Sequence, residues 1–248
     1  MFRHLVAILI VLACAGGVVA YQVTRPARAP ASPRVFVPSP RFFLDFSPSF
    51  RTSIADLYYL EMVQYYGEHS KSGQLDSLAA MADLVTSLSP HFLRPYEFGA
   101  FALIDARRPD LSMKLLEKGF AANPGKWDFP ALIAYFAYQY GPGTKQQNDL
   151  AGARWYQKAA TLPDAPAYLL RLAAVLSGKA GETQKSVIMW GQVYSAGDKY
   201  SQQKAVAGLE RILPADKTAR MKALAPLFGT MPKAEFDALI AELFKGYK

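Results

Sequence analysis

From Ser53 to the C-terminus, apolar residues return every three or four positions. No stretch sustains the every-other-residue alternation of a half-buried strand. Ala and Leu fill most of the recurring positions, so the pattern predicts an all-α chain of helix pairs. Ser53, Asp110, Asp149, Asp164 and Thr230 each precede such a run and are the expected helix starts, because a short polar side chain can accept from the free N–H groups of a first turn. Gly67, Gly141-Pro142-Gly143 and Gly178 are the expected stops.

One stretch, "GARWYQKAATLPDAP", sets small Gly152, aromatic Tyr156, small Ala159 and a stopping Pro163 in order. Thirty-four residues on, the same places hold Ser186, Trp190 and Val193. Forty residues back they hold Ser112, Leu116 and Gly119, and a further 34 back the poorer Leu78, Ala82 and Val85. Pro90 and Pro124 are also 34 apart. The six extra residues in the 40 are expected in a "GPGTKQQ" loop between two helices. Packing explains the residue types. Two helices approach closely only where side chains are small, and a large residue one turn later fills the gap toward the next pair.

A helix–turn–helix period of 34 is that of the tetratricopeptide repeat (TPR), and the chain resembles that family. Residues 93–193 carry the likeness best, with "YEFGAFAL" and "SMKLLEKGFAANP" as one unit and "GARWYQKAATLP" as the second helix of the next. The consensus is degenerate and survives as Tyr96, Gly99, Ala100 and Leu103. "SIADLYYLEMVQYYGEH" with "DSLAAMADLVTSLSP" is similar to the first unit of bacterial membrane-anchored TPR-like proteins. The resemblance implies a helical-repeat solenoid of about four helix pairs over 50–195, with capping helices over 196–248. It also implies that the first helix of each unit lines a concave groove through its second, fifth, ninth and twelfth positions. Those are Arg94, Glu97, Phe101 and Ile104; then Asp128, Ala131, Tyr135 and Tyr138; then Tyr168, Arg171, Val175 and Gly178. Arg94, Glu97, Phe101, Tyr135, Tyr138, Tyr168 and Arg171 are the expected partner-binding residues, since Tyr and Arg are common anchors for a bound peptide. The Lys and Asn pattern of clamps that hold a C-terminal carboxylate is missing.

Ahead of the repeats, residues 1–24 hold an apolar run from Leu5 to Tyr21. Its length lies between a signal-peptide core and a full membrane span. Three readings share it: a retained anchor helix, a signal cleaved after Ala20, and a lipoprotein signal with lipid on Cys14. Each puts the domain at a membrane or beyond it. The layout favours export from the bacterial inner membrane into the periplasm. The arginines following the run give no positive-inside support for that and leave a cytoplasm-facing domain open. Residues 25–49 carry prolines at 26, 30, 33, 38 and 40, which favour an extended, semi-stiff spacer.

Charge and chemistry narrow the function. Arg3, Arg25, Arg28, Arg34 and Arg41, with no acid through residue 44, supply five of the net eight positive charges. The remainder is only mildly basic and has no basic run, so it lacks the footprint of a nucleic-acid binder. Cys14 is the single cysteine, which excludes an internal disulfide and any Cys/His metal spacing. Phosphate-loop, nucleophile-elbow, HExxH and CxxC motifs are absent. His69 and His91 fall at expected turns and read as surface residues. The expectation is therefore a membrane-tethered scaffold in the cell envelope, with no enzymatic activity, cofactor or metal, that holds a protein or peptide partner. Two other classes stay open. One is an envelope enzyme on a helical frame, for which only Glu97 and Asp128 could converge; the other is a purely structural, self-associating protein.

Overall fold

The computed structural model describes residues 16–17 and 35–245. Except for Gly16 and Gly17, the apolar run read as an anchor lies outside the described residues. Contacts divide the chain at Phe36, and residues from Val37 on form one compact unit. Twelve helices make up its described part: α1 (Pro40–Phe46), α2 (Arg51–His69), α3 (Leu78–Leu88), α4 (Leu93–Asp105), α5 (Pro109–Ala122), α6 (Asp128–Tyr140), α7 (Lys145–Ala160), α8 (Tyr168–Lys179), α9 (Thr183–Ala196), α10 (Lys199–Ile212), α11 (Lys217–Leu224) and α12 (Lys233–Leu243). Short 3₁₀ turns precede α2 and follow α11, and the described residues contain no strand. Helices α2 to α9 pack as adjacent pairs, each also touching the next in line. The expected all-α, paired-helix architecture is the one observed.

The small-residue register holds at atomic detail. Ser112 Oγ donates to the carbonyl of Ala100 at 2.8 Å, and Ser186 Oγ donates to that of Ala174 at 2.7 Å. Both serines are fully buried. At the matching place in the middle pair stands Gly152, where an added Cβ would lie 3.1 Å from the carbonyl of Ala134. Ala100, Ala134 and Ala174 repeat the 34 and 40 spacing on the first helices. The large residue one turn later also behaves as expected. Trp190 packs toward the following helix and leaves no room for a Cβ at Gly208.

The six extra residues are not mainly a loop. Helix α6 ends at Tyr140, four residues follow, and α7 begins at Lys145. Gly152 is thus the eighth residue of α7, whereas Ser112 and Ser186 are the fourth of their helices. The insertion has mostly become one additional helical turn. Thr144 caps it: its side chain accepts from the Gln147 N–H, while the Gln147 side chain accepts from the Thr144 N–H. Such a cap contributes about 1 kcal/mol. The added turn reaches the next pair, where Gln146 Nε2 donates to the carbonyl of Ala180 at 2.7 Å.

Several expected boundaries move, for reasons the contacts make plain. Asp149 is no helix start; it is buried inside α7 and paired with Lys145 one turn earlier. Ser53 lies two residues inside α2, because the preceding 3₁₀ turn already leads the chain into the helix. Asp164 sits in a turn with φ of 56°, and Thr230 three residues ahead of α12, where its hydroxyl donates back to Pro226. Asp110 does fall in the first turn of α5. Gly67 is no stop: it lies within α2, which runs on to His69, and the Ser70 N–H still donates to the carbonyl of Tyr66. The stop near Gly178 belongs to Gly181, whose φ of 83° is a left-handed conformation that glycine adopts without strain.

At the N-terminal end Val37 and Phe43 pack on a cluster of Ala55, Leu84, Val85 and Leu88. Pro40 occupies the first turn of α1, where its missing N–H costs nothing. At the other end Leu224, Leu227, Phe236, Leu239 and Leu243 join the same core as α7 to α10. Arg220 closes this end from a buried position, donating to the carbonyls of Pro214 and Leu243.

Candidate functional site: an aromatic cleft along the first helices

Each first helix buries one face in the pair core and leaves another open. Helix α4 buries Tyr96, Gly99, Ala100 and Leu103; α6 buries Phe129, Ile133, Ala134 and Phe136; α8 buries Leu169, Ala173, Ala174 and Leu176. The helical period then turns Phe101, Tyr135 and Tyr168 outward, and they are 49%, 36% and 43% exposed. All three line one cleft of about 360 Å³, together with Glu97, Trp127, Asp128, Ala131 and Leu172. The aromatic walls are held in place. Phe101 meets Phe136 edge-on with centroids 5.2 Å apart, and Tyr135 leans on the same ring at 5.5 Å. Phe136 is itself 1% exposed, so the two groove rings stand on a fixed support.

Of the seven expected residues, five line clefts. Glu97, Phe101, Tyr135 and Tyr168 share the one just described. Arg171 lies in its continuation between α8 and α10, a second cleft of about 290 Å³ that Tyr168 and Leu172 also line. Arg94 lines neither and forms an exposed pair with Glu97 at 3.1 Å. Tyr138 lines neither; Lys145 and Lys179 lie over its ring at 4.4 and 6.0 Å, and it packs against the core of α7 to α10. The physical reason is its angle on α6: its Cβ stands against Gly152 at the helix crossing, as Gly178 stands against Ser186 in the next pair, and the added turn of α7 lays Lys145 over the ring. Asp128, Ala131 and Val175 also line clefts, and Gly178 borders a third beside the second.

Residue spacing did not place Leu132, Tyr156 or Leu172 in a cleft, nor did it show the contribution of α10; Tyr156 read only as the large residue that fills the gap toward the next pair. Tyr156 comes from a second helix and forms part of the cleft wall. Tyr200, Lys204 and Arg211 of α10 line the second cleft. A signal for α10 does exist. The buried set Leu169, Ala173, Leu176 and Ser177 recurs 32 residues later as Ser201, Ala205, Gly208 and Leu209. Only Gly197 and Asp198 separate α9 from α10. This short connection shifts the register by two and hides the helix from a 34-residue comparison.

Burial pushes the hydroxyl of Tyr156 up to about 12, as it does that of Tyr96. Tyr96 donates to the carbonyl of Pro90 at 3.1 Å. Both side chains stay neutral in the folded chain to higher pH than in the unfolded one, where tyrosine ionises near 10. The folded state holds these protons longer, so stability is full below pH of about 10 and falls as pH rises toward about 12. Melts taken across that range should show the fall, and a Tyr96→Phe, Tyr156→Phe variant should show a shallower one relative to its own stability at neutral pH.

The two described histidines make local contacts outside the clefts. His69 stacks on Tyr65 at 4.6 Å at the end of α2, and His91 shares a hydrogen bond with Asn123 at 3.1 Å. Among the described residues no group of three or more His, Cys, Asp or Glu is placed to hold a metal. Among the same residues no helix is long and apolar enough to cross a membrane. No family model, curated protein or solved structure matches this chain.

Proposed function

We propose that this chain is a TPR-like scaffold of the bacterial cell envelope, tethered through residues 5–21, that holds a peptide segment of a partner protein along its first helices. The single observation that carries the reading is the cleft itself. Phe101, Tyr135 and Tyr168 come from three successive repeats, stand exposed, and line one continuous depression. Exposed aromatics in a concave site have a cost in water that a partner relieves, and rigid rings bind with little loss of side-chain entropy. The repeated contacts of Ser112, Gly152 and Ser186 with Ala100, Ala134 and Ala174 support the TPR-like part of the reading. The tether rests on the apolar N-terminal sequence and on the prolines that follow it. An enzymatic use of the cleft has less support. Glu97 and Asp128 do line it, but Glu97 is already paired with Arg94, an arrangement suited to orienting a ligand rather than moving a proton.

Photo-crosslinking tests the proposal in living cells. A crosslinking amino acid at Tyr168 should trap a foreign polypeptide, and one at Arg154, exposed on the opposite helix row, should not. Crosslinks from Tyr168 only to a second copy of this chain would replace the scaffold reading with self-association. None from either position would remove the cleft from consideration as a binding site.

A further inference from the structure

The first cleft and its continuation differ in charge. Glu97 and Asp128 line the first, with no Lys or Arg. Arg171, Lys204 and Arg211 line the second, with no Asp or Glu, and Lys179 lines the adjoining space of about 300 Å³ together with Arg211. None of these four cations forms an ion pair with a described carboxylate. Arg171 and Lys204 rest instead on the ring of Tyr200, at 5.4 and 5.2 Å from its centroid. The acid nearest in effect, Asp198, is engaged elsewhere. It caps α10 by accepting from the Ser201 N–H at 2.9 Å, and that bond is the chief reason its carboxyl is held below the usual range, with Arg171 contributing least. Three cations gathered over an apolar floor, with no carboxylate in the lining and Asp198 the single described acid in reach of Arg171, leave a net positive field that an anionic ligand satisfies.

We infer that the α8–α10 cleft binds an acidic segment of the partner polypeptide, its carboxylates held by Arg171, Lys204 and Arg211 while its apolar side chains lie between them. The inference rests on the peptide-groove reading above and names the chemistry of its ligand. Continuity supports a single polypeptide, because Tyr168 and Leu172 line both clefts. The floor supports a peptide over an acidic sugar chain. Leu172, Val175, Ala207 and Gly208 lie among the cations, and aliphatic side chains fill such a surface better than hydroxyl-covered sugar faces do.

Fluorescence anisotropy with the full chain in a nonionic detergent tests this. The probes are a short labelled peptide of Glu and Asp interspersed with Leu, the same peptide with Lys and Arg in place of the acids, and a labelled oligogalacturonate. The acidic peptide should bind at least about tenfold tighter than the basic one. Its affinity should fall between about 50 and about 200 mM salt as the charges are screened. Arg171→Gln with Arg211→Gln should remove the preference and flatten the salt dependence. If that pair loses its cooperative melt, Lys204→Gln alone should still weaken the acidic peptide several-fold. Equal affinity for the two peptides, a preference that survives the Gln variants, or capture of the oligogalacturonate without the acidic peptide would overturn the inference. The two readings fail separately. Binding of the acidic peptide that is untouched by Phe101→Ala with Tyr135→Ala counts against the aromatic cleft alone. Dependence on those rings without preference for acid counts against the cationic cleft alone.

Discussion

Gly152→Leu is expected to lower the stability of the chain by about 1–3 kcal/mol, the usual result of adding bulk to a filled core. A Cβ at this position would stand 2.9 Å from both Leu176 Cδ1 and Tyr138 Cβ, and 3.1 Å from the Ala134 carbonyl oxygen. The Leu176 methyl can rotate away. The other two atoms belong to or adjoin the α6 backbone, so they move only if the helix pair opens. Replacing an interior helical glycine gains about 1 kcal/mol of helix propensity, which reduces the loss without reversing it, because the rest of the leucine must also find room. Gly152→Ser, which copies Ser112 and Ser186, should cost less than Gly152→Leu. Lys126→Ala, at an exposed turn, should change stability by no more than about 0.5 kcal/mol. Lys145 would be a poor control despite its exposure, since it pairs with buried Asp149 and lies over Tyr138. Chemical denaturation of the three variants reads the order directly. Equal, small losses at Gly152 and Lys126 would mean that the helix crossing is not where the register puts it.

Tyr135→Ala combined with Tyr168→Ala should weaken partner binding many-fold and leave folding cooperative. Each ring belongs to the class of aromatic anchor whose truncation costs roughly 2 kcal/mol or more, about thirtyfold in affinity. Their exposure limits the damage to the fold, whereas Phe136 beneath Tyr135 is buried and should not be touched in this experiment. Tyr138 is the informative comparison. Its ring packs under Lys145 and Lys179, so Tyr138→Ala should lower the melting temperature more than Tyr135→Ala and affect binding less. A titration of the recovered partner together with a circular-dichroism melt separates the two effects. Normal melting with undiminished binding by the Tyr135/Tyr168 variant would move recognition to another surface. Loss of the cooperative melt would show these tyrosines to be part of the core.

The sequence by itself determined the helical class, the pairing and the place of closest approach. Apolar spacing needs no knowledge of neighbours, and small residues at Ser112, Gly152 and Ser186 are required wherever two backbones meet. The resemblance to TPR proteins supplied the outward positions Phe101, Tyr135 and Tyr168, and their angle around the helix accounts for them once the buried face is known. Tertiary structure decided whatever depended on how one element ends and the next begins. Six inserted residues read as a loop, yet a cap at Thr144 and a contact from Gln146 to Ala180 make most of them helical. That added turn lays Lys145 over Tyr138, whose Cβ already faces the crossing at Gly152, and buries Asp149, which read alone resembles a helix start. The two-residue connection before α10 displaces its register, so Tyr200, Lys204 and Arg211 join Arg171 in a cleft that no fixed period reveals. Periodicity reports the angle of a side chain around its own helix; which neighbour it meets depends on the lengths of the connections, and those are set by caps and contacts between elements.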